Sequence, residues 1–220
     1  FASGCIEVAE PPPEYQAIGQ PIMQGLDALG PQWDHVVALL ITQGTSTFIC
    51  SGTLIAPNVV LTAAHCLDVA PDAAINYQTA LPEDVEVLFG YSVYDPDEVV
   101  VASVTLINDG YDRQAYGVHD IGLVRLERHV DVTPISWLPT DLQSLEQPQT
   151  DVTFAGYGYN EQGIRGDRLY VNSNVDVVET YELLYSMKRR EGGPCGGDSG
   201  GPLLYDFGGS YVGGVTTYGD

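Results

Sequence analysis

Apolar residues in this chain come in short runs, and glycine or proline interrupts them before any run can grow into a long helix. Aliphatic and β-branched residues cluster at 36–41, 48–55, 59–62, 85–89, 99–107 and 121–126, each with the length and residue types of a strand. A second series follows at 152–155, 169–178, 202–205 and 211–217. With 25 Gly and 14 Pro breaking the pattern, strands and turns are favoured throughout. Helical periodicity is weak, apart from a turn of helix at 63–66 and an ambiguous stretch at 179–187. The reading is all-β. Six runs are enough for one antiparallel barrel, and the second series makes a second barrel that is incomplete at its C-terminal end.

The boundaries follow from where the pattern changes. Residues 1–21 contain Pro11-Pro12-Pro13 and no apolar periodicity, and read as a leader or pro-segment. An N-terminal barrel is expected over 22–137, a polar connection over 138–150, and the incomplete C-terminal barrel over 151–220. Ala2-Ser3-Gly4-Cys5 is similar to the tail of a bacterial lipoprotein signal, which would make Cys5 a lipid-anchor position. A chance run of small residues, or a Cys5 that pairs with another part of the chain, accounts for it equally well. No internal repeat is present.

Charge narrows the partners. Thirty acidic residues against eight basic ones give a formal net charge of −22, which repels nucleic-acid phosphates and anionic lipid. Nucleic acid is therefore not an expected partner. The surplus reads as a solubilising surface. No stretch of 18 apolar residues is present to span a membrane. The four histidines, His35, His65, His119 and His129, lack ligand spacing, and no glycine-rich phosphate loop occurs, so neither metal nor cofactor is expected. Of the four cysteines, Cys50 and Cys66 flank a candidate hairpin that could bring them together, which would imply an oxidising compartment. Two buried free thiols fit the same spacing.

Three segments carry residue types suited to nucleophilic catalysis. A serine hydroxyl is a poor nucleophile at neutral pH and needs a base, which in turn needs a group to set its tautomer. Gly196-Gly197-Asp198-Ser199-Gly200-Gly201-Pro202 puts a serine in a glycine-rich loop whose backbone N–H groups can approach a carbonyl. Thr62-Ala63-Ala64-His65-Cys66 ends an apolar strand with a histidine. Asp120-Ile121-Gly122-Leu123-Val124 opens another with a carboxylate. Taken singly, each has an ordinary explanation: a core histidine, a turn serine, a strand-capping aspartate.

Together and in this order, these three segments resemble the signatures of the trypsin/chymotrypsin family of serine proteases. The resemblance covers about residue 22 to the end. It implies two six-stranded antiparallel Greek-key barrels with the active site in the cleft between them. It further implies a secreted, periplasmic or cell-surface endopeptidase, monomeric, acting on protein or peptide substrates. By the same resemblance Ser199 is the nucleophile, His65 the general base and Asp120 its orienting carboxylate. The backbone N–H groups of Gly197 and Ser199 would form the oxyanion hole. Ala155-Gly156-Tyr157-Gly158 is similar to the family's strand that opens the second barrel.

Activation and specificity are carried over in the same way. Ile22-Met23-Gln24-Gly25 resembles the segment whose freed α-amino group pairs with the carboxylate beside the nucleophile, here Asp198. Pro21 stands where the family usually has a basic residue, so the expectation is a zymogen, uncleaved or activated by a protease of other specificity. Gly193, six residues before Ser199, falls at the base of the primary specificity pocket, where Arg/Lys-cutting members carry Asp. With Pro194 after it, a small or apolar P1 residue is expected. Thr217-Tyr218-Gly219 resembles the substrate-pairing strand. Cys195 would bridge to a cysteine beyond residue 220, which makes the chain read as truncated. The alternative is a catalytically silent or permanently zymogen-like binding protein on the same fold.

Overall fold

The computed structural model describes residues 16–17, 25–71, 76–115, 118–137, 150–160, 163–175, 177–178, 183–184, 196–206 and 210–217. In chain order the first strands are β1 (Gln16–Ala17), β2 (Leu26–Asp27), β3 (Val36–Gln43), β4 (Ser46–Ala56) and β5 (Val59–Thr62). One helical turn, α1 (Ala64–Leu67), precedes β6 (Val85–Phe89), β7 (Glu98–Ile107) and β8 (Gly122–Leu126). Then come β9 (Thr150–Gly156), β10 (Leu169–Val175), β11 (Val177–Val178), β12 (Leu183–Leu184), β13 (Pro202–Asp206) and β14 (Ser210–Val215).

The six expected runs of the first series become β3 to β8, and they close. Antiparallel pairings run β4-β3-β6-β7-β8-β5, and β5 pairs back onto β4 to complete a six-stranded ring. Closure removes free edges from the ring. Its interior is filled by alternate residues of each strand, including Val37, Leu39 and Ile41 of β3, Val85, Val87 and Phe89 of β6, and Val124 and Leu126 of β8. Each such side chain, fully buried, contributes about 1.5–3 kcal/mol by leaving water.

Strand β3 shows why its sequence is apolar without alternation. Val37, Leu39 and Ile41 face into the ring, while Val36, Ala38 and Leu40 pack outward against Ile49, Leu88, Ala155 and Tyr157. Ala155 lies in β9 of the second sheet and Tyr157 just after it, so β3 is covered on both faces and reads as one continuous run. This seam sets the two halves against each other.

The second sheet has the order β14-β13-β9-β10-β2, with β11 and β12 forming a separate hairpin. Strand β2 crosses from the segment preceding the ring to pair antiparallel with β10, Leu169 opposite Asp27. Strand β1 adds to the ring in parallel, Gln16 opposite Phe48. The stretch at 179–187 contributes β12, and the helical turn expected at 63–66 is α1. Among the described residues no helix is long and apolar enough to cross a membrane.

Candidate active site

The site begins with the pairing of β5 and β8, which places Thr62 opposite Gly122. That register carries Asp120, two residues before Gly122, to the start of α1, where His65 sits. The chain turns sharply into this position: His119 has φ +56, and Ile121 N–H donates to His119 O at 2.7 Å. A left-handed backbone at a non-glycine residue is uncommon, and histidine tolerates it better than most.

Asp120 grips His65 twice. The His65 backbone N–H donates to Asp120 Oδ1 at 2.8 Å, and its ring Nδ1 lies 2.7 Å from Oδ2. Because an ionised carboxylate only accepts, Nδ1 carries the proton and Nε2 is left as the basic nitrogen. Burial pushes the Asp120 carboxyl up, but the hydrogen bonds and charge of His65 and a side-chain hydrogen bond from Thr217 outweigh it. The net effect holds Asp120 below the usual carboxylate range. Asp120 is buried and His65 only half-buried, so the ring keeps an open side.

Ser199 lies in the turn 196–201, and the carbonyls of that turn are pinned one after another. Gly196 O accepts from Tyr159 N–H at 2.9 Å, Gly197 O from Ser51 Oγ at 2.7 Å, Asp198 O from Gly201 N–H at 2.8 Å, and Ser199 O from Ser51 N–H at 2.8 Å. Gly197 has φ +100, a conformation that glycine adopts without steric cost. The Asp198 side chain is buried, and its Oδ1 accepts from Gly158 N–H at 2.8 Å. A Cβ on Gly158 would come within 2.6 Å of the Asp198 carboxyl carbon, so the small residue at 158 is what admits the carboxylate.

The two parts meet at the Cys50–Cys66 disulfide, which ties β4 to α1. Cys66 Sγ lies 3.8 Å from His65 Nε2 and 3.5 Å from Ser199 O. The histidine ring and the serine backbone therefore flank one sulfur atom. Of the two readings open at the cysteine pair, the bridge is the one found. Cys50, His65 and Cys66 also place three metal-type ligand atoms within 4.8 Å of one another. Both sulfurs are bonded to each other, so neither is available as a thiolate ligand.

Some residues of the site make contacts that the sequence does not signal. Ser51 falls inside the strand-like run 48–55 and belongs to no motif, yet its hydroxyl donates to Gly197 O and accepts from Tyr157 N–H at 2.9 Å. Thr62 Oγ1 donates to Ser51 O at 2.8 Å and braces it from β5. Thr217, expected on the substrate strand, has its hydroxyl on Asp120. Ile22, Gly193, Pro194, Tyr218 and Gly219, together with Cys5 and Cys195, lie outside the described residues.

Comparison with known proteins gives the family. Residues 22–220 match the family model for Trypsin. The chain is similar to Trypsin of Saccharopolyspora erythraea, at 31% identity over 90% of this chain and 87% of the relative. It is also similar to Brachyurin of Leptuca pugilator, at 28% identity over 90% of this chain and 86% of the relative. Coagulation factor XI of Bos taurus matches at 26% identity over 83% of this chain, which spans 31% of that longer protein. A match over this span, with a closed antiparallel barrel beside a second sheet, establishes that the chain belongs to the trypsin family of serine endopeptidases.

Proposed function

We propose that the protein hydrolyses peptide bonds through an acyl-enzyme, with Ser199 as nucleophile, His65 as general base and Asp120 as the orienting carboxylate. The observation that carries this reading is the double hydrogen bond between Asp120 and His65, which leaves Nε2 basic. Ser199 Oγ attacks the scissile carbonyl as its proton passes to His65 Nε2. The oxyanion forms against the N–H groups of Gly197 and Ser199, the imidazolium then protonates the leaving amine, and water repeats the sequence to release the acid. Asp120 stabilises the imidazolium without taking its proton. Each oxyanion donor is worth about 10²–10³ in kcat in comparable enzymes.

The disulfide supports an oxidising, extracytoplasmic setting. Gly193, with no carboxylate at the expected pocket floor, supports small or apolar P1 residues over Arg or Lys. The buried Asp198 carboxylate is suited to receive the α-amino group freed by cleavage before Ile22. N-terminal sequencing of an active preparation reads that step, and full activity with a start other than Ile22 would overturn it.

Covalent labelling by an organofluorophosphonate tests the central reading. The processed protein is expected to label at one serine, and Ser199→Ala to abolish labelling. A processed protein that does not label would leave the silent binding protein as the better account. Digestion of a peptide library then reports the P1 preference.

A further inference from the structure

We propose that Arg165 and Tyr159 are positioning residues that hold the Gly197 N–H in its oxyanion-binding direction; this rests on the oxyanion role of Gly197 given above. Gly196 and Gly197 are adjacent glycines, so the peptide between them has no Cβ on either side to resist rotation. A trans peptide points its C=O and N–H in opposite directions, so turning it over would put the Gly196 carbonyl where the Gly197 N–H should be. An oxyanion would then meet an acceptor.

Among the described residues, the bond that fixes that peptide from the Gly196 side is Tyr159 N–H donating to Gly196 O at 2.9 Å. It belongs to a strip of three consecutive donors. Tyr157 N–H goes to Ser51 Oγ, Gly158 N–H to Asp198 Oδ1 and Tyr159 N–H to Gly196 O. Residues 157–159 thus act as a template on which the nucleophile turn is laid.

Tyr159 is the last residue of the strip, and beyond it the chain doubles back. Asn160 N–H donates to Ile164 O at 2.7 Å, Ile164 N–H to Asn160 Oδ1 at 2.9 Å, and Gly166 N–H to Tyr157 O at 3.0 Å. This fold-back lays the Arg165 guanidinium over the Tyr159 ring, 5.2 Å from its centroid. Arg165 is only 5% exposed, and a cation over an aromatic face is held more strongly when water is excluded. The stack thereby braces Tyr159 at the point where its backbone must meet Gly196. Arg165 acts through Tyr159 on the donor.

The test uses the processed, full-length protein. Arg165→Ala is expected to lower kcat for a peptide amide about ten-fold, a loss of the size a buried cation–π contact supplies, with KM within about two-fold. Inhibition by a peptide aldehyde, whose adduct with the serine carries the oxyanion, should weaken by a similar factor. Binding of a non-covalent peptide analogue should stay unchanged. Arg165→Lys should restore most of the activity and Tyr159→Phe should retain it. Tyr159→Leu, which keeps apolar bulk but removes the ring face, should reproduce the loss, and it serves as the readout if Arg165→Ala does not fold.

Wild-type kcat in both Arg165→Ala and Tyr159→Leu would overturn the proposal. So would a loss that falls equally on the aldehyde and the non-covalent analogue. An inactive wild-type protein would sink the endopeptidase reading and this inference with it. An active wild type with unaffected variants would sink this inference alone.

Discussion

The first barrel holds its part of the site through its own strands, whereas the second sheet presents its part on a turn that depends on outside support. Asp120 lies just before β8 and His65 in α1 just after β5, and these two strands pair directly within a closed ring. Ser199 lies in a glycine-rich turn before β13, held by Ser51 of the first barrel and by the strip 157–159. A closed hydrogen-bonded ring sets positions through register. A turn of glycines adopts many conformations and must be selected by contacts.

If that contrast is right, the largest effect comes from changing charge where register has already set position. Asp120→Asn keeps the shape of the side chain but lets its amide favour the wrong histidine tautomer, so kcat should fall about 10⁴-fold with the melting temperature little changed. Steady-state kinetics and thermal unfolding read the two quantities together. A variant that unfolds instead would show that the ring does not set this geometry by itself.

The seam between the halves is expected to respond to acid. Burial, then the nearby positive charge of Arg168, push the His35 pKa down to about 4, with Asp34 opposing them in part. His35 Nε2 is buried with no hydrogen-bond partner among the described residues. The unfolded chain takes up this proton below the ordinary value of 6.5, while the folded protein refuses it until about pH 4. Stability from this group is therefore complete above pH 6.5 and falls as pH drops toward 4, by on the order of 3 kcal/mol. Denaturant midpoints across that window should decline, and His35→Leu should flatten the decline. An equally steep decline in His35→Leu would place the acid sensitivity elsewhere.

A smaller effect should follow from cutting the bridge that the first barrel extends to the nucleophile turn. Ser51→Ala leaves Gly197 O and Tyr157 N–H without the hydroxyl that serves both, at a cost of about 2 kcal/mol in unfolding free energy. The same variant should lose kcat through a looser turn while the Asp120–His65 pair is undisturbed. Unchanged turnover would mean that the strip 157–159 and the Ser51 backbone N–H hold the turn without that hydroxyl.

How much of this was legible in the sequence depended on the kind of contact involved. Strands β3 to β8 could be located because burial selects apolar runs of strand length. The count of six runs pointed to a barrel but not to the pairing that closes it, since β5 meets β8 across a long stretch of chain, Thr62 opposite Gly122. Strand β2 gave no signal, because Leu26 and Asp27 are only two residues and both are exposed. Ser51 is a small polar residue of a common type, and only the distant partners brought to it by folding single it out; Thr217 is read onto the substrate-pairing strand by its motif, but its bond to Asp120 comes from folding. Arg165 is hidden for the same reason: an arginine in a loop reads as a surface charge until the fold-back lays it on Tyr159.

What the sequence determined alone was the inventory: strand-forming runs, turn-forming glycines, and His65, Asp120 and Ser199 in three motifs whose local chemistry is self-contained. What the tertiary structure decided was direction. The proton sits on His65 Nδ1 because Asp120 accepts there, and the carbonyls of Gly196, Gly197 and Ser199 point toward donors from elsewhere in the chain. Hydrogen-bond direction is set by partners brought together from distant parts of the chain, and no local pattern of residues encodes where those partners will stand.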